Sequence, residues 1–208
     1  MANNTKRIHI LTESAIMVAL ATVLSMLKIW EAPYGGSVTV LSMAPIIILS
    51  MRRGVKVGLF AGFAHSLIQL LLGLSNVSYI PTPMGMFLCV LTDYILPFTL
   101  LGLGGIFRNK INNPGVSLMC GSLVALGARY LAHILSGYIL FSGWAEWFFT
   151  QDGFPAWGAS LVQSLSPSAL GWVYSIVYNG IYMVPEMILT AIAALLIARV
   201  PKIVTKVS

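Results

Sequence analysis

Residues 129–141 read Arg129-Tyr130-Leu131-Ala132-His133-Ile134-Leu135-Ser136-Gly137-Tyr138-Ile139-Leu140-Phe141, and they place an arginine and a histidine well inside an apolar segment. The two ionisable residues are four positions apart, so on a helix they lie on one face. Ionisable side chains at membrane depth are costly, and they normally face a bundle interior or a water-filled cavity. We therefore expect this face to form one wall of a small-molecule site whose other walls come from neighbouring helices.

The composition is that of a membrane protein. The chain has 208 residues, of which 58% are hydrophobic and 9% are charged, and its mean hydropathy is +0.88. A soluble domain carries roughly 25% charged residues. A membrane-spanning helix needs about 20 apolar residues, so about six spans fit in this chain and little else does. We predict an all-α membrane protein, a six-transmembrane-helix bundle that forms one domain over residues 1–208.

Apolar runs separated by charged residues, glycines and prolines define the spans. The predicted spans cover residues 10–29, 38–51, 57–74, 84–106, 115–142 and 170–198. The second span is short and is interrupted by Pro45, and residues 143–169 form a long tryptophan-rich connection. After Lys6 and Arg7 the apolar run continues without a cleavage-site pattern, so the first segment is expected to stay as a helix.

The distribution of charge predicts the topology. The net charge is +6, but the basic residues lie in turns and not in a patch, so we expect no nucleic-acid partner. Ten of the twelve Lys and Arg residues fall at the amino terminus, in the turns after spans two and four, and in the carboxy-terminal tail. The opposite side has Lys28 with Glu31, Glu146 and Asp152. The positive-inside rule therefore predicts cytoplasmic termini and an external 143–169 loop.

Signals for catalysis and metal binding are absent from the sequence. It contains no G-x-x-x-x-G-K-[ST], H-E-x-x-H or G-x-S-x-G motif, and its three histidines have no metal-ligand spacing. Cys89 and Cys120 fall in apolar segments, where a free cysteine packs as a small hydrophobe. We expect no enzymatic activity, no cofactor and no metal. Uphill transport would then need a second chain to hydrolyse ATP.

Three polar residues on different spans lie at one predicted depth. Asp93, Asn179 and His133 are each nine residues from the outer end of their span, which is ~13 Å at the rise of a helix. Arg129 is one turn deeper. This layer suits an aromatic, nitrogen-rich cation, because carboxylate and amide groups can pair with an exocyclic amine and with ring nitrogens. Flat faces for cation–π contact, worth ~2 kcal/mol when desolvated, come from Tyr94, His133, Phe141 and Tyr174.

A purely structural interpretation of the layer stays open. Asp93 and Arg129 could form a buried ion pair, and Asn179 could form a structural hydrogen bond between helices. His65 is more often a hydrogen-bonded core histidine, and Glu186 is equally well a protonated or a paired carboxyl. The tryptophans of the long loop are typical of a membrane-interface belt.

The chain resembles the thiamine-specific S components of energy-coupling factor (ECF) transporters, the membrane subunits that capture vitamins. The resemblance covers nearly the whole chain and rests on these motifs: Leu11-Thr12-Glu13 with Ala15 and Ala19, Ser50-Met51-Arg52-Arg53-Gly54, Asp93-Tyr94, Arg129-Tyr130-Leu131-Ala132-His133, and Tyr174 with Tyr178-Asn179-Gly180. It implies thiamine as the transported ligand. It also implies a bacterial plasma-membrane location and three partners, a transmembrane coupling subunit and two ATPase subunits.

The resemblance also assigns roles to residues of the layer. The acidic residue that binds the aminopyrimidine falls on Asp93, with Tyr94 after it, and the basic residue that pairs with the carboxylate falls on Arg129. The histidine of the thiazolium pocket falls on His133, and Phe141 stands where some members have tryptophan. Tyr174 and Asn179 match the tyrosine and asparagine of the sixth span.

Two further features follow from the resemblance. The loop after the first span closes over the site in some members; here Trp30 and Tyr34 are the lid candidates, Pro33, Gly35 and Gly36 suit a hinge, and Tyr79 is the match in the third loop. Ala15 and Ala19 match the small-residue face that docks the coupling subunit. A packing contact inside the bundle is the alternative, since small residues four apart are common in membrane helices.

Three other functions remain open at this point. The chain could bind another vitamin or a thiamine precursor such as the pyrimidine alone. It could be an intramembrane enzyme that uses His133 and Asp93 as base and acid. It could also be a scaffold protein with a structural ion pair.

Overall fold

The structure is a computed structural model that describes residues 2–32 and 35–205. The helices are α1 (Ala2–Met26), α2 (Ala44–Arg53), α3 (Val55–Leu72), α4 (Leu74–Ser78), α5 (Pro83–Cys89), α6 (Leu96–Thr99), α7 (Pro114–Phe141), α8 (Ala145–Thr150), α9 (Trp157–Ser164), α10 (Pro167–Ile197) and α11 (Pro201–Val204). A π-helical turn at Val90–Ile95 joins α5 to α6, and 3-10 turns follow at Leu100–Gly105 and Ser142–Trp144. Two strands, β1 (Lys28–Glu31) and β2 (Ser37–Thr39), pair antiparallel.

Five helices of the described residues are long and apolar enough to cross a membrane. They cover Asn4–Met26, Val55–Leu72, Pro83–Gly105, Pro114–Thr150 and Pro167–Ile197. The fold is therefore mostly helical, as predicted. Helix α2 has only 10 residues, about half of what a bilayer requires, and its residues from Ala44 to Met51 are all buried among the longer helices.

The structure differs most from the predicted spans around the loop that was expected to be the first external one. Span one was expected to reach residue 29 and span two to begin at residue 38. Instead α1 ends at Met26, and the chain forms a hairpin of β1 and β2 before α2 begins at Ala44. Proline at the first turn of α2 explains the start of that helix, because the missing N–H has no partner to lose there. We refer to residues 28–32 and 35–39 as the lid hairpin, after the lid that the resemblance implies for this loop.

The predicted 143–169 connection is largely helical. Helices α8 and α9 occupy much of it, and an aromatic cluster fixes α8 onto α10. Phe148 packs edge-on against Tyr174 with a centroid distance of 5.2 Å, and against Phe154 at the same distance. The loop is therefore a packed cap at one end of the bundle.

The basic turns meet at the other end of the bundle. Arg52 Nε and Arg53 Nε donate to the two oxygens of Glu13 at 2.5 and 2.6 Å. Arg52 also donates to the carbonyl of Lys202 at 2.6 Å. These contacts bring α1, α2 and α11 together, so the ends that carry most of the positive charge lie at one side of the fold.

Candidate functional site

Asp93 lies on a wide, π-helical turn. Residues Val90–Ile95 form a π-helical turn, and Pro97 follows directly after it. Proline has no N–H, so Pro97 cannot donate to the carbonyl four residues earlier, which belongs to Asp93. A π-helical turn inside a helix often coincides with a functional site, because it alters the direction of the side chains it carries.

Asp93 is held by side chains of α7 and of its own helix. His133 Nδ1 lies 3.2 Å from Asp93 Oδ1, and Ser136 Oγ donates to Asp93 Oδ2 at 2.7 Å. Cys89 Sγ is 3.5 Å from the same Oδ2. His133 and Ser136 are three positions apart on α7, so one face of α7 supplies both contacts.

Arg129 contacts the imidazole of His133. Arg129 Nε donates to His133 Nε2 at 3.3 Å, and the guanidinium carbon lies 4.4 Å from the centre of the Phe98 ring. Because Nε2 accepts, the proton of a neutral imidazole sits on Nδ1 and is donated to Asp93. The resemblance implied a direct pair between Arg129 and Asp93. Within the described residues no ion pair joins them, and the imidazole lies between the guanidinium and the carboxylate.

Asn179 fastens α10 to α7. Its Nδ2 donates to the carbonyl of His133 at 3.2 Å, and its Oδ1 accepts from Tyr182 Oη at 2.5 Å. Gly137 permits this close approach, since a Cβ there would lie 2.2 Å from Ser175 Oγ and 2.9 Å from Asn179 Nδ2. The structure thus brings Asp93, His133 and Asn179, which the sequence placed at one depth, into one hydrogen-bonded network.

Aromatic side chains flank this polar network. Phe141 packs against the cluster of Phe148 and Tyr174 on one side, and on the other against the cluster that also holds Tyr94. Tyr174 is buried and lies 5.8 Å from Tyr178, ring centre to ring centre. The Tyr94 hydroxyl donates to the carbonyl of Gly73 at 2.9 Å, so this tyrosine offers its ring and not a free hydroxyl.

The lid hairpin lies against α10 beside this network. Trp30 is half-exposed and lines a cleft of about 220 Å³ together with Ala32, Phe148, Gln151, Phe154, Tyr178 and Ile181. Tyr34 and Pro33, the other residues expected in the lid, lie outside the described residues. Tyr79 is 83% exposed, and the structure does not bring it to the network.

Sequence reasoning missed four residues at the site. Ser136, Ser175 and Tyr182 bond to the network, and Tyr178 bonds to Gly35 of the lid hairpin. Helical spacing carried the signal, because Ser175 and Tyr178 are four positions from assigned site residues and Ser136 and Tyr182 are three. Serine and tyrosine are common enough in membrane helices that spacing alone did not single them out.

The small residues of α1 face outward. Ala15 and Ala19 are both exposed in the chain as described. Gly58 and Gly62 of α3, which have the same spacing, are buried against Ser50 and against the backbone of the Leu96–Gly105 region. Gly58 and Gly62 therefore pack against other helices of this chain, whereas Ala15 and Ala19 are not covered by the described residues.

Metal ligation has no support in the described part of the chain, where no three His, Cys, Asp or Glu residues cluster as a metal site would need. Long apolar helices around a half-buried carboxylate and a buried imidazole and amide instead define a multi-pass membrane protein with a polar intramembrane site.

Comparison with known proteins identifies the family. Residues 11–164 match the family model described as thiamine transporter protein, and the chain belongs to this family. The resemblance noted from the sequence is therefore confirmed, and the chain is a multi-pass plasma-membrane protein.

Individual relatives agree over nearly the full length. The thiamine transporter ThiT of Bacillus subtilis is 32% identical, over 94% of this chain and 93% of that protein. The thiamine transporter ThiT of Lacticaseibacillus paracasei is 24% identical, over 86% and 88%. A solved structure of ThiT from Listeria monocytogenes matches with a TM-score of 0.68 and 25% identity, covering 96% of this chain and 99% of that one.

Proposed function

We propose that this chain captures thiamine from outside the cell and serves as the substrate-binding S component of an ECF-type uptake system. One observation carries the proposal: Asp93 is held by His133 and Ser136 inside a bundle of apolar helices. Membership of the thiamine transporter family supports the choice of ligand.

Asp93 is the proposed partner of the aminopyrimidine. A carboxylate has about four acceptor positions, and contacts from His133, Ser136 and Cys89 use three. One position remains for an exocyclic amine. Exclusion of water strengthens this charge-assisted bond, since charges interact more strongly at low dielectric.

The aromatic residues are the proposed partners of the thiazolium cation. Phe141, Tyr174 and Tyr178 lie next to the network and present ring faces. A cation against a desolvated aromatic face gains about 2 kcal/mol. Asn179 holds α10 at the distance from α7 that this arrangement requires, and Trp30 closes the outer side. Arg129 supports the site by holding His133 in the tautomer that donates to Asp93.

In this proposal the chain binds thiamine, and partner subunits hydrolyse ATP to drive uptake. We infer six crossings, with the buried α2 and the residues before it forming the second, and with both termini in the cytoplasm as the charge distribution predicts. Residues 1–208 form a single binding domain. The exposed Ala15–Ala19 face of α1 is the proposed contact with a transmembrane coupling subunit, to which two ATPase subunits bind. The chain releases thiamine unchanged and uses no cofactor.

Tryptophan fluorescence tests the proposal. Titration of the purified chain with thiamine should give saturable quenching, because Trp30 lies on the lid and Trp144, Trp147 and Trp157 lie around the outer cap. Pyrimidine alone is the matched control, and it should bind more weakly since it lacks the thiazolium cation. Absence of saturable quenching by thiamine, or chemical conversion of the ligand after long incubation, would reject this function.

A further inference from the structure

A buried carboxylate on α10 binds the base of the lid hairpin. Glu186 is fully buried, and its Oε1 accepts two hydrogen bonds from Thr39, the last residue of β2. The backbone N–H of Thr39 donates at 2.5 Å and its hydroxyl at 2.7 Å. These bonds join residues 147 positions apart in sequence. Helix α10 therefore fixes the point at which the hairpin rejoins the bundle.

Two further contacts hold the tip of the hairpin on the same helix. Tyr178 Oη donates to the carbonyl of Gly35 at 3.0 Å. Gly36 has a φ of +88° and lies so close to the Tyr182 ring that a Cβ would fall 2.3 Å from it. Tyr182 in turn donates to Asn179. The hairpin thus rests directly on a residue of the polar network.

Glu186 also faces the charged part of the network. Its Oε2 has no hydrogen-bond partner among the described residues, and neither has Nη1 of the buried Arg129. Glu186 and Arg129 are close enough to interact electrostatically. Arg129 donates to His133, which contacts Asp93. One carboxylate is therefore connected both to the lid and, through Arg129, to the proposed ligand-binding carboxylate.

We propose that Glu186 is a positioning residue that latches the lid hairpin over the intramembrane site through Thr39. Opening of the hairpin removes both Thr39 donors from Oε1 and leaves Glu186 without a hydrogen-bond donor among the described residues. Lid opening and the arrangement of Arg129, His133 and Asp93 are then coupled. The consequence for ligand release rests on the function proposed above, whereas the latch itself does not.

Hydrogen exchange tests the latch without any ligand. In the purified full chain, the peptide over residues 36–41 should exchange about ten-fold faster in Glu186→Ala than in wild type, since loss of a buried partner favours opening. In Glu186→Gln it should stay within about three-fold of wild type, because the amide oxygen still accepts from Thr39. Exchange in Glu186→Gln as fast as in Glu186→Ala would overturn the hydrogen-bond latch.

Two controls keep the test decisive. Glu31→Gln neutralises an exposed carboxylate of the same hairpin that pairs only with Lys28 in the described structure, and exchange should not change. Exchange of α7 peptides reports whether each variant is folded. Should Glu186→Ala unfold, Thr39→Val decides, with Ser42→Ala as its control, because the Thr39 hydroxyl contacts both Glu186 and Ser42. Thr39→Val keeps the backbone bond to Glu186 and should still speed exchange about three-fold, and by more than Ser42→Ala does. Unchanged exchange in every folded variant of Glu186 and Thr39 would overturn the proposal.

Ligand release gives the functional consequence. Thiamine should dissociate about ten-fold faster from Glu186→Ala than from wild type, with Glu31→Gln as the control. If wild type fails to bind thiamine, the proposed function fails while the exchange result still stands. If wild type binds and Glu186→Ala releases thiamine at the wild-type rate, the coupling of latch to site is wrong.

Discussion

His133 is the residue that joins the charged groups of the site. It accepts from Arg129 at one ring nitrogen and lies 3.2 Å from Asp93 at the other. Sequence reasoning placed His133, Asp93 and Asn179 at one depth because helical rise is regular. The rise per residue predicts how deep a side chain lies in the membrane. It does not predict the rotation of each helix about its axis or the rotamer of the side chain. For that reason the position of His133 between Arg129 and Asp93 could not be predicted from the sequence.

At the residue scale, Asn179→Ala should lower both stability and affinity for thiamine. The substitution leaves the buried Tyr182 hydroxyl without its partner and removes the side-chain donor to the His133 carbonyl. An unsatisfied buried polar group costs about 1–3 kcal/mol. Thermal unfolding of the purified chain measures the first effect and a thiamine titration the second. Wild-type values in both measurements would show that Asn179 has no part in the network.

At the element scale, the long helices were predictable and the irregular segments were not. The bounds of α7, residues 114–141 against an expected 115–142, follow from a long apolar run after Asn113-Pro114. The lid hairpin was missed because its strands have only four and three residues. Residues 38–43 are also apolar enough to resemble the start of a helix. Likewise the π-helical turn at Asp93 changes hydrogen-bond register without changing composition.

Contact between α7 and α10 should depend on the size of residue 137. Gly137→Ala places a Cβ against Ser175 Oγ and Asn179 Nδ2, so the helices must separate. Overpacking of this kind costs about 1–3 kcal/mol, which thermal unfolding would detect.

The matched control for this contact lies on the same helix. A Cβ at Gly127 meets no atom within 4 Å among the described residues, so Gly127→Ala should be neutral or stabilising by up to about 1 kcal/mol through helix propensity. Equal effects of the two substitutions would contradict the close packing of α7 on α10 at Gly137.

At the scale of the whole molecule, the outer surface of α1 is one surface that the described chain does not use for its own packing. Apolar side chains there face outward, as expected of a lipid-facing helix, and Ala15 and Ala19 interrupt them with a shallow strip. Sequence alone left open whether this strip packed inside the bundle. The structure leaves it uncovered, which is the condition for docking a second chain.

If a partner subunit docks on α1, a substitution on that surface should impair transport without impairing thiamine binding. Ala15→Trp should leave thiamine binding by the purified chain unchanged but stop uptake by cells, because the bulky ring prevents close approach of a partner helix. Ile192→Trp, at an exposed position on α10, should affect neither. Normal uptake with Ala15→Trp would rule out this surface as the docking site.

The central claim is that thiamine binds in the bundle at Asp93, and calorimetric titration of the purified chain tests it most directly. Wild type should bind thiamine at a single saturable site. Asp93→Asn should keep the shape of the side chain and lose its charge, which weakens binding by about 1.5–3 kcal/mol, the usual contribution of a hydrogen bond to a charged group. Glu146→Gln, at an exposed carboxylate of the cap that contains α8, should bind as wild type does. No heat of binding in wild type, or wild-type affinity in Asp93→Asn, would contradict the account.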